Sequence, residues 1–194
     1  VAPQNGCAPL TIDLQDLSNN PAICGDPNTT WIISGGPYNF LTGGPNDVTP
    51  TVELTAAGTY TITLKVAIPD KDACPPDEQT FIIEVTEPPT VEVGSLTMIC
   101  AGDELEMIIS SLDDGGSPLT NWSWQLNGAE FSTVQGTVPL TFSDPGEYVV
   151  TGEATNLCGS DTSNIYIDVD SIPEIDFELP DLPAYCAGDT LLVI

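Results

Sequence analysis

The 194 residues carry 29 acids against two lysines, with no arginine or histidine, for a net charge of −27. That balance argues against nucleic acid and anionic membranes, which are gripped through Lys and Arg, and the missing imidazole removes Ser-His-Asp and Cys-His pairs and His-ligated zinc. A hydrophobic fraction of 41% supports folded cores rather than an acidic disordered tail, and so acidic a surface calls for salt or divalent cations to limit self-repulsion.

Along the chain the hydrophobic period is two. Leu10, Ile12 and Leu14 alternate with polar neighbours, as do Tyr60, Ile62, Leu64 and Val66, then Phe81, Ile83 and Val85, and finally Ile165, Ile167 and Val169. Each set predicts a strand with one buried face, and no stretch carries a helical stripe. Glycine and proline punctuate the strands at Gly35-Gly36-Pro37, Gly43-Gly44-Pro45, Asp113-Asp114-Gly115-Gly116 and Asp144-Pro145-Gly146. Glu87-Pro88-Pro89 closes one unit before Thr90-Val91-Glu92-Val93 opens the next, and Asp170-Ser171-Ile172-Pro173 leads into another. Such short, proline-stiffened linkers predict domains set end to end with little freedom.

The landmarks repeat. Cys100-Ala101-Gly102-Asp103 returns as Cys186-Ala187-Gly188-Asp189, and Cys7-Ala8-Pro9-Leu10 is a looser copy. Trp31 answers to Trp124, Gly58-Thr59-Tyr60 to Gly146-Glu147-Tyr148, and Cys74 to Cys158. A spacing of roughly 85–95 residues is too long for a solenoid unit and fits one small β-sandwich. The expected units are 1–87, with its first strand missing, then 88–171, then the start of a third over 172–194. Because Thr190-Leu191-Leu192-Val193-Ile194 reads as the middle of a strand, the chain is expected to be an excerpt of a longer protein.

These landmarks resemble the polycystic-kidney-disease (PKD) type of immunoglobulin-like domain. Cys7-Ala8-Pro9-Leu10-Thr11-Ile12 looks like the start of that family's second strand, Trp31 before a glycine turn like its third, and Gly58-Thr59-Tyr60-Thr61-Ile62-Thr63-Leu64 like its penultimate strand. Trp31-Ile32-Ile33-Ser34-Gly35-Gly36 departs from the family's W-x-F-G-D-G in lacking the aspartate. The second unit is similar to Ig-like repeats of very large secreted Bacteroidota proteins, including gliding-motility adhesins exported by the type IX system. The resemblance implies an all-β array of tandem Ig-like sandwiches at the cell surface.

Trp31 and Trp124, at matched positions, read as core residues between two sheets, whereas Trp122 is expected to be partly exposed near a strand end. Tyr60 and Tyr148 read as strand-start tyrosines that bond back to the preceding corner. Carboxylate pairs such as Asp13/Asp16, Asp103/Glu104, Asp113/Asp114 and Asp168/Asp170 follow from the number of acids. A glycosidase instead needs two acids facing across a cleft, so no catalytic residue and no resident cofactor are expected. Calcium, held by six to eight oxygens, is the one cation candidate, at Asp113 and Asp114 in an acidic turn and at Asp168 and Asp170 near a junction. Asp170-Ser171-Ile172 and Asp189-Thr190-Leu191 are similar to the Asp-Ser/Thr-apolar O-glycosylation site of Bacteroidota, with Ser171 and Thr190 as acceptors.

Six cysteines with no C-x-x-C pair imply an oxidising compartment rather than zinc or thioredoxin-like chemistry. In an Ig-type sandwich Cys100, before the second strand, and Cys158, after the sixth, lie at opposite ends, a strand length of roughly 17–20 Å apart. Disulfide Cα atoms lie within about 7 Å. Strand polarity in a head-to-tail array favours Cys7–Cys158 across the junction with Cys24–Cys74 inside the first unit, leaving Cys100 and Cys186 to partners outside the chain. The rival is one bond per repeat, Cys7–Cys74 and Cys100–Cys158. The reading is a non-enzymatic repeat segment of an extracellular adhesin or fibre, a disulfide-stabilised semi-rigid stalk. Its expected partners are neighbouring domains and a surface ligand or glycan, without membrane insertion. The alternatives are a binding or spacer module of a secreted polysaccharide-degrading enzyme, and an acidic self-assembling filament or surface-layer subunit.

Overall fold

A computed structural model describes residues 5–19, 27–69, 75–176 and 187–188. Every regular element among them is a β-strand, as the period-two pattern dictates. The first seven strands are β1 (Gly6–Cys7), β2 (Leu10–Asp13), β3 (Asn28–Ser34), β4 (Tyr38–Thr42), β5 (Thr51–Leu54), β6 (Gly58–Ala67) and β7 (Asp77–Thr86). They form two sheets, ordered β1-β7-β6-β3 and β2-β5-β4. Alternate residues point inward, so Trp31 and Ile33 from β3, Tyr60 and Ile62 from β6, and Ile83 and Val85 from β7 meet Ile12, Val52 and Leu54 of the facing sheet.

The remaining strands are β8 (Thr90–Gly94), β9 (Met98–Cys100), β10 (Glu104–Asp113), β11 (Asn121–Leu126), β12 (Ala129–Ser132), β13 (Val138–Thr141), β14 (Gly146–Asn156) and β15 (Gly159–Asp170). Their sheets run β13-β10-β8 and β12-β11-β14-β15-β9. A second core, sharing no residue with the first, is built around Trp124, Met107, Phe142, Val150 and Ile167. Both Tyr corners are made. Tyr60 donates its hydroxyl proton toward Pro37 O at 2.9 Å and Ala56 O at 3.0 Å, and Tyr148 donates to Asp144 O at 3.0 Å.

The sandwiches differ after their tryptophan strand, for a local reason. In the second, Asn127 (φ 50°) and Gly128 (φ 82°) both adopt left-handed backbone, and this two-residue turn folds β12 back onto β11. In the first, Gly35-Gly36-Pro37 carries the chain across to the other sheet, where β4 pairs with β5. Cys7 also sits differently from the sequence expectation. It lies on a separate short strand, β1, parallel to β7, and not at the start of the second strand. Pro9 has no N–H to continue a ladder, and β2 begins beyond it.

Candidate functional site at the domain junction

Between Thr86, the last residue of β7, and Thr90, the first of β8, only Glu87, Pro88 and Pro89 intervene. The prolines lack N–H groups, so Glu87 is the one linker residue with both a donor and an acceptor to satisfy. Both go to the second sandwich. Glu87 N–H donates to Gly115 O at 2.9 Å, and Glu87 O accepts from Asn156 Nδ2 at 2.7 Å. Pro89 is fully buried. The linker is strapped down by the β10–β11 loop on one side and the β14–β15 hairpin on the other.

Asn156 is only 4% exposed and is satisfied at every polar atom. Its second Nδ2 proton goes to Asp114 O at 2.8 Å, and its Oδ1 accepts from Cys158 N–H at 2.7 Å. Two carbonyls facing one side of the amide and an N–H facing the other fix its orientation. Gly115 stands at φ +69°, and a Cβ there would run into the Glu87 carbonyl, so the position needs glycine on both counts.

The hairpin tip delivers Cys158 to Cys7, with an S–S bond of 2.04 Å and Cα atoms 5.4 Å apart. Cys7 is held from the other side by parallel pairing opposite Thr86 and by Ala8 N–H donating to Thr86 O at 2.7 Å. The Thr86 hydroxyl lies 3.0 Å from Cys158 Sγ. A cystine sulfur carries no proton, so the hydroxyl is the donor.

This bond rules out the rival scheme, since neither Cys7 nor Cys158 is left for an intradomain partner. The separation of Cys100 and Cys158 is also larger than expected. Cys100 pairs opposite Asp170, at the far end of the 12-residue β15 from the hairpin, roughly 35 Å away at the usual strand rise. Cys100 is an exposed free thiol. Cys24, Cys74, Cys186 and Thr190 lie outside the described residues.

Trp122 corrects another expectation. It is 4% exposed, packed edge-on against Trp124 at 5.5 Å, because it points inward with Trp124, across Gly152 and into the second core. Its Nε1–H is buried without a partner, whereas Trp31 and Trp124 donate to Asp47 O and Val134 O. Asp113 and Asp114 accept, through Oδ1, the N–H groups of Gly115 and Gly116 at 2.9 Å each, so these carboxylates shape the turn that holds Glu87. Asp168 and Asp170 are exposed on β15, and Ser171 is exposed just after it. Among the described residues no three Asp, Glu, Cys or His side chains converge, and no helix is long and apolar enough to cross a membrane. The sequence reads Gly115 as part of a turn but gives no sign that it and Asn156 strap the linker, beyond the placement of an Asn two residues before Cys158 and of a double glycine after two aspartates.

No protein-family model and no curated protein matches the chain. Solved structures do. Immunoglobulin domains 1–4 of Sidekick-1 match at 14% identity with a TM-score of 0.52, over 87% of this chain and 47% of that one. An I-band fragment from titin matches at 18% identity and a TM-score of 0.50, over 87% and 63%. The ectodomain of mouse nectin-like molecule 4 aligns at 14% identity and a TM-score of 0.39, over 78% and 57%. The chain thus spans about half the length of the structures it matches. The fold is that of tandem immunoglobulin-like β-sandwiches.

Proposed function

We propose that this chain is a non-enzymatic repeat segment of a long extracellular or cell-surface adhesin or fibre. It acts as a semi-rigid stalk of the PKD-type Ig-like kind seen in Bacteroidota gliding adhesins, with Ser171 as an O-glycan acceptor. The observation that carries this reading is the junction. A covalent bond and both backbone polar groups of Glu87 tie one sandwich to the next. A flexible spacer needs none of these contacts, whereas a stalk that must keep its direction needs all of them.

The disulfide also decides how tension passes. Its sequence separation of 151 encloses most of both sandwiches, so a pull applied at the chain ends crosses from Cys7 to Cys158 and continues along β15. The enclosed residues cannot extend while the bond stands. Against the glycan-binding alternative, all three tryptophans are buried, which removes the most favourable stacking platforms.

Single-molecule pulling between terminal handles tests the reading. The oxidised chain is expected to withhold roughly 500 Å of contour length, at about 3.3–3.6 Å per extended residue, and to release it only after a reductant is added. Full extension of the oxidised chain at low force would refute the stalk.

A further inference from the structure

The two sandwiches present their first-strand cysteines in one register. In the first, Gly6 and Cys7 pair in parallel with Val85 and Thr86, and Ala8 N–H donates to Thr86 O at 2.7 Å. In the second, Ile99 and Cys100 pair in parallel with Val169 and Asp170, and Ala101 N–H donates to Asp170 O at 2.8 Å. Residue for residue, Cys100 stands where Cys7 stands. The difference is occupancy: Cys7 is bonded to the hairpin of the sandwich that follows it, and Cys100 is exposed and free.

A second, independent observation points to what belongs there. Aligned on the strand ends, Thr86-Glu87-Pro88-Pro89-Thr90-Val91 corresponds to Asp170-Ser171-Ile172-Pro173-Glu174-Ile175. Val91, at 5% exposure, is anchored in the second core, while its counterpart Ile175 is 90% exposed. By that correspondence Ile175, which no described residue covers, takes the place of the inward residue of a first strand whose own sandwich would bury it. The turn that follows Cys100, with Gly102 at φ +92°, recurs at Gly188, with φ +105°.

From these we infer that Cys100 is one half of a second junction disulfide, whose other half is the hairpin cysteine of a third sandwich following Asp170 in the same polypeptide. The inference rests on the reading of the chain as part of an array. The recognition chemistry is that of the first junction. The partner hairpin presents Asn-x-Cys-Gly, as Asn156 to Gly159 do. Its Asn takes up the carbonyl of Ser171, the counterpart of Glu87, and its Cys falls opposite Cys100. Asp170 replaces Thr86 beside the bond, the one change of side-chain chemistry at that register position.

Formation is an oxidation. The Cys100 thiolate attacks the disulfide of a thiol–disulfide exchange oxidant, releasing one of its sulfurs as a thiol and leaving a mixed disulfide. The hairpin thiolate then attacks Cys100 Sγ and expels the second. Two protons and two electrons leave the cysteine pair, and the oxidant becomes a dithiol.

The test uses the full-length protein isolated from its native source, alkylated with maleimide under denaturing, non-reducing conditions, digested and mapped by mass spectrometry. The expected result is a Cys100 peptide linked to the hairpin peptide of the following sandwich. In a full-length Cys100→Ser variant, one further thiol, that of the hairpin, becomes alkylated while Cys7–Cys158 persists. An alkylated Cys100, a bond from Cys100 to any other cysteine, or no new thiol in the variant would overturn the inference. An intact Cys7–Cys158 bond beside an alkylated Cys100 would leave the stalk reading standing, because pulling on the first junction measures that separately.

Discussion

Asn156 spends both amide protons on backbone carbonyls of two different segments, Glu87 and Asp114, and accepts the N–H of Cys158. Replacing it with alanine removes the partner of three part-buried backbone groups at once. An unsatisfied buried group costs about 1–3 kcal/mol, so Asn156→Ala is expected to lower stability by about 3 kcal/mol in denaturant titrations, and a loss below about 0.5 kcal/mol would show that water replaces the amide. The two neighbouring tryptophans of β11 make the opposite comparison. Trp124→Phe leaves Val134 O without its donor, but Trp122→Phe deletes an N–H that has no partner. Both lose packing, so Trp122→Phe should be the milder by about 1 kcal/mol. The reverse order in urea midpoints would mean that the Trp122 indole N–H is satisfied after all.

Strand β3 is joined to the segment after β2 through one carboxylate. Asp16 accepts from Ser18 N–H at 2.8 Å and from the Thr29 hydroxyl at 2.6 Å. Burial pushes its pKa up, but the hydrogen bonds from Ser18 and Thr29 outweigh that and hold it below the ordinary 3.8. A carboxyl depressed on folding contributes stability that is complete above the unfolded-state value and is lost as pH falls through the lower folded one. The difference between the native chain and Asp16→Asn should therefore be present at neutral pH and vanish in strong acid; a difference that persists there would assign it to packing. In the β10–β11 turn the Asp113 and Asp114 carboxylates are already engaged by backbone N–H groups. Melting curves are accordingly expected to coincide in chelator and in millimolar calcium, and a clear upward shift in calcium would make that turn a cation site. The strands themselves were legible, because Ile165, Ile167 and Val169 or Tyr60 and Ile62 declare an inward face by alternation alone. The Tyr60 and Tyr148 corners follow from a glycine two residues earlier. Trp122 was not legible, because whether an inward residue near a strand's start is covered depends on what the facing sheet brings over it, and the second core extends that far. Nor was the strap legible: Glu87, Gly115 and Asn156 are far apart in sequence and meet only once both sandwiches are folded and docked.

At the scale of the molecule, 29 acids are opposed by two lysines, leaving a net charge of −27, and Lys65 pairs with Glu78 at 2.8 Å on the surface. Self-repulsion should then be the main salt-sensitive term. Raising salt from about 0.01 to 1 M shortens the screening length from roughly 30 to 3 Å, and the melting temperature is expected to climb across that range. The junction sets how two such bodies behave as one. Its disulfide closes a loop of 151 residues in sequence separation, for which the chain-entropy account gives about 5 kcal/mol, and the Glu87 strap adds direction that a single bond cannot. Residual dipolar couplings on the isotope-labelled, oxidised chain test this most directly. If the junction is fixed, the amides of β2–β7 and of β8–β15 will fit one alignment tensor of common magnitude and orientation. Two tensors of different magnitude would mean that the sandwiches reorient freely despite the bond, and would contradict the stalk.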